Sequence, residues 1–432
     1  LPKESPLDAD VLIVGAGPAG SALAAQVAEA GLETLVLEKA SFPRPKACGG
    51  GLTPRTVKEL ALLGVPTPED GGWVRNVGLR VFGGGHTLEL PWPKVKSLPD
   101  YGLTLPRERF DQVLANHAQA RGAKLFENTT VTQAKRHPGT GRVVGVTAKT
   151  EQGRQDFHAR LVIDAGGVAA RLATSVGRQP LTNRPMGTAV RARVKLPQPI
   201  SQDRLPWMES HLELRDEQGL MPGYGWVFVQ ASNHLNIGVG TVTSGTKAKP
   251  AEAKALFNRW LPTLQERWGF SQEHLVDQPL GAALPMAFNR QPLYGGGLML
   301  LGDAAGLVSP FTGEGIAAAM VSARIAAETI TSALAQNRPN RRELALRAYP
   351  ERLLAEYGGY YTLGRGFVAL IEHPKVMQLC TKNGLPRPTL MRLVNKMLSG
   401  MYEPHGGDWM DRLIALAARL APADGLRSGG TR

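Results

Sequence analysis

Residues 15–20 (Gly-Ala-Gly-Pro-Ala-Gly) set three glycines at the spacing that lets a backbone pass close to a pyrophosphate. Gly15 permits the tight turn, Gly17 leaves room for phosphate oxygens, and Gly20 lets a helix pack on the preceding strand. Pro18 and Ala19 open that helix, whose N-terminus offers free N–H groups and positive dipole. Glu38, with Lys39 beside it, falls about where a carboxylate hydrogen-bonds a ribose 2′-hydroxyl. A plain glycine turn does not account for Glu38. A carboxylate there repels a 2′-phosphate, so the pattern suits FAD or NAD better than NADP. A second segment chooses between those two. Residues 301–306 (Leu-Gly-Asp-Ala-Ala-Gly) and 309–316 (Ser-Pro-Phe-Thr-Gly-Glu-Gly-Ile) place Gly302 and Asp303 ahead of another helix start. Asp303 can accept hydrogen bonds from the ribityl hydroxyls of FAD, while amides at Gly313, Gly315 and Ile316 face the flavin ring. NAD requires no such second clamp; the alternative is a glycine loop entering a core helix.

Cys48 precedes Gly49, Gly50 and Gly51, and Arg44 and Lys46 lie close by in sequence. Consecutive glycines let backbone lie flat against a planar ring, and the two cations favour a thiolate or hold an anionic headgroup. The expectation is that Cys48, Gly49 and Gly50 face the isoalloxazine and Gly51 the substrate, with a small buried cysteine as the alternative. Tyr224, Trp226 and Phe228 alternate, so they share one strand face. They make either an aromatic wall for a long apolar substrate or a packed sheet face. Cys48 and Tyr224 are the candidates to deliver a proton. The nine histidines show no HExxH or paired spacing, so no metal site is expected. No second complete GxGxxG is present, so NAD(P)H binds transiently or another reductant supplies electrons.

The elements that position these residues follow from apolar periodicity. Residues 10–14, an alanine-rich stretch at 19–30 and residues 33–38 read as strand, helix and strand. Residues 159–163 and 298–301 are further short strands ending in small or acidic residues, as strands do when their carboxyl ends face a ligand. Between 188 and 195, Val190, Ala192 and Val194 alternate with Arg191, Arg193 and Lys195, which predicts one buried and one wet face. Residues 226–229 and 235–239 read as a hairpin in the same antiparallel sheet. Glycines 83–85 and 295–297 read as turns. Residues 315–334 are helical, and Trp409, Leu413, Leu416 and Leu420 recur at helical spacing after a possible N-cap, Asp408. The fold class is α/β: an FAD-binding Rossmann-type domain from residues 1–75, 101–182 and 285–335, an inserted antiparallel β-sheet substrate domain from 76–100 and 183–284, and a helical C-terminal region, 336–432.

The whole composition fits. A chain of 432 residues with 43% hydrophobic and 20% charged residues is globular and long enough for two or three domains. Two cysteines, Cys48 and Cys380, build neither a disulfide framework nor an iron–sulfur site, which suits a reducing compartment such as the cytoplasm. No apolar run spans a bilayer, and residues 1–10 do not read as a signal peptide, although a chain opening on Leu1 fits loss of an earlier leader. A net charge of +13 favours anionic partners: a diphosphate, a phospholipid or an anionic membrane touched peripherally. Arg341, Arg342 and Arg347 read as a solvated helix face before a lipid contact. No motif supports nucleic-acid binding.

Taken together with Arg107-Glu-Arg-Phe-Asp111 and Asp164-Ala-Gly166, the two glycine segments resemble the glutathione-reductase-type FAD fold in its hydroxylase-like branch. That resemblance, over residues from about 10 to 335, implies FAD contacts for Arg107, Ala165 and Gly166, with Asp164 near the cofactor. Within the branch, residues 46–52 (Lys-Ala-Cys-Gly-Gly-Gly-Leu), 223–228 (Gly-Tyr-Gly-Trp-Val-Phe) and 311–316 are similar to the geranylgeranyl reductase family. The similarity implies saturation of polyprenyl double bonds by reduced FAD, on a polyprenyl lipid or polyprenyl diphosphate. One departure stands out: the family's Tyr-x-Trp-x-Phe-Pro carries Val229 in place of proline. A flavin monooxygenase, epoxidase or halogenase of the same fold is the rival reading.

Overall fold

A computed structural model describes residues 7–217, 219–245, 250–403 and 406–422. Residues 1–6 of the N-terminal segment and the last ten residues of the helical region lie outside them. The chain opens with β1 (Ala9–Val14), α1 (Pro18–Glu29), β2 (Thr34–Leu37), β3 (Gly51–Leu52), α2 (Pro54–Leu63) and β4 (Val74–Asn76). It continues through β5 (Gly78–Gly83), β6 (His86–Pro91), β7 (Gly102–Thr104), α3 (Arg107–Ala120) and β8 (Lys124–Phe126). A meander of β9 (Thr130–Arg136), β10 (Val143–Thr150) and β11 (Gly153–Asp164) leads to α4 (Arg171–Ser175), β12 (Met186–Lys195) and β13 (Trp207–His211). Then come β14 (Gly223–Gln230), β15 (His234–Thr243), α5 (Pro250–Trp268), β16 (Leu280–Pro285), β17 (Tyr294–Gly295) and β18 (Leu298–Leu300). Six helices close the chain: α6 (Ile316–Leu334), α7 (Pro339–Leu346), α8 (Ala348–Ile371), α9 (Pro374–Leu379), α10 (Pro388–Ser399) and α11 (Trp409–Leu420).

Five parallel strands in the order β8–β2–β1–β11–β18 form the first sheet, with β17 antiparallel at its edge. Val11 to Ile13, Leu35 to Leu37, Leu161 to Ile163 and Leu298 to Leu300 are all buried, as expected of strands covered on both faces. The alanines of α1 and α6 let these two helices pack closely on one another. β11 is longer than the apolar run 159–163, because its polar first half pairs antiparallel with β10 while its second half pairs parallel with β1 and β18.

The second sheet has seven strands, β16–β12–β15–β14–β13–β5–β6, so residues 78–91 join residues 186–285. Val190, Ala192, Val194, Ile237 and Val239 pack under Phe257, Trp260 and Leu264 of α5. The opposite face is not the wet face that the alternation at 188–195 predicts. Arg191 is only 3% exposed, because that face covers a cavity rather than meeting solvent; Lys195 alone is fully outward. The turn after Gly83 joins β5 to β6, and that after Gly295 joins β17 to β18.

The C-terminal helices begin inside the main core. Tyr349, Leu353, Tyr357 and Tyr361 of α8 are buried there, and the Tyr349 and Tyr361 hydroxyls donate to the carbonyls of Leu300 (2.8 Å) and Leu307 (2.6 Å). Asp408 caps α11, and Lys396 of α10 bridges Asp408 (2.9 Å) and Asp411 (2.8 Å). A Cβ on Gly359 would lie 1.9 Å from the carbonyl of Ala418, so the glycine is what lets α8 and α11 cross so closely. Met410 and Ile414 are buried, while the periodic set Trp409, Leu413, Leu416 and Leu420 points outward. Among the described residues no helix is long and apolar enough to cross a membrane.

Candidate active site

The carboxyl ends of β1, β2, β11 and β18 converge on one large cavity of about 1060 Å³. Gly15 leaves β1 with φ +96°, and a Cβ there would sit 2.6 Å from the carbonyl of Ala165; one on Gly20 would sit 1.9 Å from the carbonyl of Gly15. The turn therefore has no room for larger residues. Glu38, 3% exposed, accepts from the amides of Ala16 (2.8 Å) and Ala40 (3.2 Å), which fixes its carboxylate at the cavity wall. Arg44 spans Glu38 (3.5 Å) and Asp111 (3.1 Å), and its buried Nε has no partner among the described residues. Asp111 in turn holds Arg107 through two bonds of 2.8 and 3.0 Å. Burial opposes the charge of Arg107, but Asp111 and Cys48 outweigh it and raise the guanidinium above its ordinary range.

Gly15, Gly17, Pro18, Ala19, Glu38, Lys39, Ala165 and Gly166 all line the cavity, as do Asp303, Gly313, Gly315 and Ile316. Gly20 and Gly302 stand behind that wall: a Cβ on Gly302, at φ +54°, would press on Ala19 and Ala319 at 3.2 Å. Asp164 is fully buried and accepts from the amides of Gly166 (2.9 Å) and Ala173 (2.8 Å), so it shapes the loop that borders the cavity. Burial raises the Asp303 carboxyl above its usual range, with Lys46 and Arg107 acting against that rise, and no donor among the described residues bonds to it. A cradle too tight for side chains, an anchored carboxylate and a second carboxylate short of donors together fit a hydroxyl-rich dinucleotide.

Cys48, Gly49, Gly50, Gly51 and Arg107 line the same cavity with Tyr224, Trp226 and Phe228. The glycines meet rings of the protein itself. A Cβ on Gly49 would come within 2.8 Å of Phe228, one on Gly51 within 2.5 Å of Met208 and 2.9 Å of Phe228, and Gly50 has φ +71°. Trp226 donates to Asn236 (3.0 Å), and Asn236 donates to the Cys48 carbonyl (3.0 Å), so the β14–β15 hairpin fixes the cysteine loop. The Tyr224 hydroxyl donates to the Thr312 carbonyl (2.7 Å), and burial with nearby Glu314 and Cys48 raises its pKa. That proton is thus committed to the loop before α6. Glu314 accepts from the hydroxyls of Thr53 (2.7 Å) and Thr56 (3.1 Å), and burial raises its carboxyl.

Several residues that line the cavity or brace its wall have no signal in the local sequence. Arg191 pairs with Asp277 and donates to the Lys46 carbonyl (3.2 Å), while Asp277 also takes the amide (2.9 Å) and Nε (3.0 Å) of Arg193. Asn236 sits in an apolar strand. The apolar part of the wall joins Val81 and Leu90 of the second sheet to Leu385 and Met391, the latter from α10. Only the pairing of remote segments brings these together; α10's strong amphipathicity is the one sequence clue.

The chain matches a family model described as FAD binding domain over residues 8–352. It is 34% identical over 409 residues to a protein named menaquinone reductase from Mycolicibacterium smegmatis, covering 94% of this chain and 95% of that one. It is 32% identical over 345 residues to digeranylgeranylglycerophospholipid reductase 1 of Methanopyrus kandleri, covering 77% and 82%. A solved structure described as a geranylgeranyl bacteriochlorophyll reductase-like protein from Thermoplasma acidophilum superposes with a TM-score of 0.67 at 22% identity, covering 90% of this chain and 99% of that one, a likeness of fold.

Proposed function

Because the chain belongs to the FAD-binding-domain family of oxidoreductases, in its geranylgeranyl reductase branch, we propose that it saturates a carbon–carbon double bond in the polyprenyl chain of a lipid or quinone. FAD is its cofactor. When bound and reduced, FAD would supply hydride-transfer chemistry to one alkene carbon, leaving the other carbon to take a proton from the protein. In this reading Glu38 and Asp303 would hold the cofactor's hydroxyls, and the tight turn at Gly15 with side-chain-free Gly17 would admit its pyrophosphate. Arg107 and Cys48 stand side by side, with the cysteine backbone tied to Asn236. The Cys48 thiol gives up the proton and Arg107 holds the thiolate left behind, while the Tyr224 proton stays engaged at Thr312. Reduction of an unactivated alkene depends on position, so the wall's main task is to hold the chain dry and aligned.

The observation that carries this reading is the joining of a dinucleotide cradle and an aliphatic chamber in one cavity, with Val81, Leu90, Leu385 and Met391 on the apolar part. Menaquinone and a geranylgeranyl lipid both present a long apolar chain, the feature common to what the relatives are named for. The test is an anaerobic single turnover with chemically reduced flavin and either menaquinone or geranylgeranyl diphosphate. Flavin reoxidation with a product two hydrogens heavier that survives re-exposure to air supports saturation of the chain. A mass gain on menaquinone that air reverses indicates reduction of its quinone ring instead. If flavin stays reduced until oxygen is admitted and oxygen then enters the substrate, the monooxygenase reading replaces this one.

A further inference from the structure

The helices that close the apolar part of the cavity carry a one-sided charge. Between Glu372 and Glu403 there is no aspartate or glutamate, but there are Lys375, Lys382, Arg387, Arg392 and Lys396. Lys396 is spent on Asp408 and Asp411, and the other four are exposed. In the same stretch Leu379 is 59% and Leu390 40% exposed, yet both also line the cavity, so this segment is its rim. α11 adds a second feature. Trp409, Leu413, Leu416 and Leu420, 48–75% exposed, fall within about 60° of arc on one side of the helix, bordered along one edge by Arg412 and Arg419. Single exposed leucines are ordinary, but a row of three behind a tryptophan is not.

We infer that α11 and the basic rim form a docking surface for an anionic lipid bilayer, with the Trp409–Leu420 stripe seated in the interfacial layer. The chemistry matches on both counts: an apolar stripe edged with arginine suits the boundary of headgroup and acyl chain, and acid-free basic chain complements anionic headgroups. A second copy on this face would bring two basic rims together at a like-charge cost. The stripe is held rigidly, by the Lys396 pairs to α10 and by the close crossing at Gly359 to α8. Seating both the stripe and the basic segment on the bilayer would bring the rim residues Leu379 and Leu390 to the lipid. This last point rests on the polyprenyl reading; binding to the bilayer does not.

Flotation of the full chain, with its flavin, on phosphatidylcholine vesicles with and without phosphatidylglycerol tests the surface. Wild type is expected to float with the anionic vesicles and to be partly released by salt. The double variant L413E/L416E, outside the cavity, is expected to float at least about tenfold less. L62E, a control at an exposed leucine of α2, should behave as wild type. Unchanged far-UV spectrum and flavin content keep the comparison valid, and the milder W409S/L416S serves if the double glutamate variant unfolds. Equal flotation of variant and wild type overturns the inference, as does absence of flotation by wild type. A wild-type dimer that L413E/L416E converts to monomer assigns the stripe to a second copy instead. Flavin reoxidation by detergent-dispersed substrate, run in parallel, fails only if the polyprenyl reading fails.

Discussion

Cys48 is constrained from three sides: its carbonyl is bonded to Asn236, Arg107 stands beside its thiol, and Gly49 next to it packs too close to Phe228 for any side chain. Replacement by alanine fills no new space and keeps the carbonyl tie to Asn236, giving up only the long bond from the Gly50 amide to the sulfur (3.5 Å). C48A is therefore expected to keep its flavin and to slow anaerobic flavin reoxidation by about 10²-fold or more, the usual scale of a lost general acid. Stopped-flow absorbance measures it, and a full rate in C48A removes the cysteine from the chemistry. At this scale the sequence is legible where one short segment does a whole task. Residues 15–20, with Glu38 on the next strand, are such a case, since turn, helix start and carboxylate lie within about one βαβ unit. Asn236 and Arg191 were not legible, because a lone polar residue in an apolar strand acquires its role only from the loop that the fold brings to it.

Strand β12 shows what periodicity can and cannot say about an element. Its alternation locates the strand and the α5-facing side, but not that the other side roofs a cavity, which buries Arg191. The Arg191–Asp277–Arg193 cluster, with Arg193 reaching Glu108 at 3.0 Å, ties β12 to α3, which packs on α1. Burial works to raise the Asp277 carboxyl, yet the Arg193 amide and Arg191 guanidinium prevail and hold it below the usual carboxylate range. A carboxyl depressed in the folded state stabilises above the unfolded value of about 3.9, and that contribution is lost as pH falls through the folded pKa. D277N is accordingly expected to cost about 3 kcal/mol near neutrality. Its deficit relative to wild type should shrink below pH ~4, as thermal melts across acidic pH will register; a deficit constant down to pH ~2 would show that the charge is not what matters. α11 makes the same point about sidedness: its spacing gives a helix with an apolar stripe, while burial falls on Met410 and Ile414 instead.

For the molecule as a whole, α/β character and the split between a parallel and an antiparallel sheet were open to sequence reading, because short apolar runs differ from alternating ones. The closure of the cavity by α10 was not, since it depends on a contact between residues 81–90 and 385–391. That contact sets the size of the apolar chamber. M391W is expected to raise KM for a long polyprenyl substrate about tenfold with flavin content unchanged, and to affect a short-chain analogue little. Steady-state kinetics on two chain lengths measures this, and an equal change for both would mean that Met391 does not limit chain length. The parallel sheet carries one more consequence, in the time domain of biosynthesis. β18 pairs with β11, and the Asp303 clamp follows it, so a nascent chain lacks them for about 280 residues after β1, on the order of 15–60 s of translation. Until then the ribosome displays half a cradle and an open apolar edge at Val162–Asp164, the sort of edge that chaperones must cover.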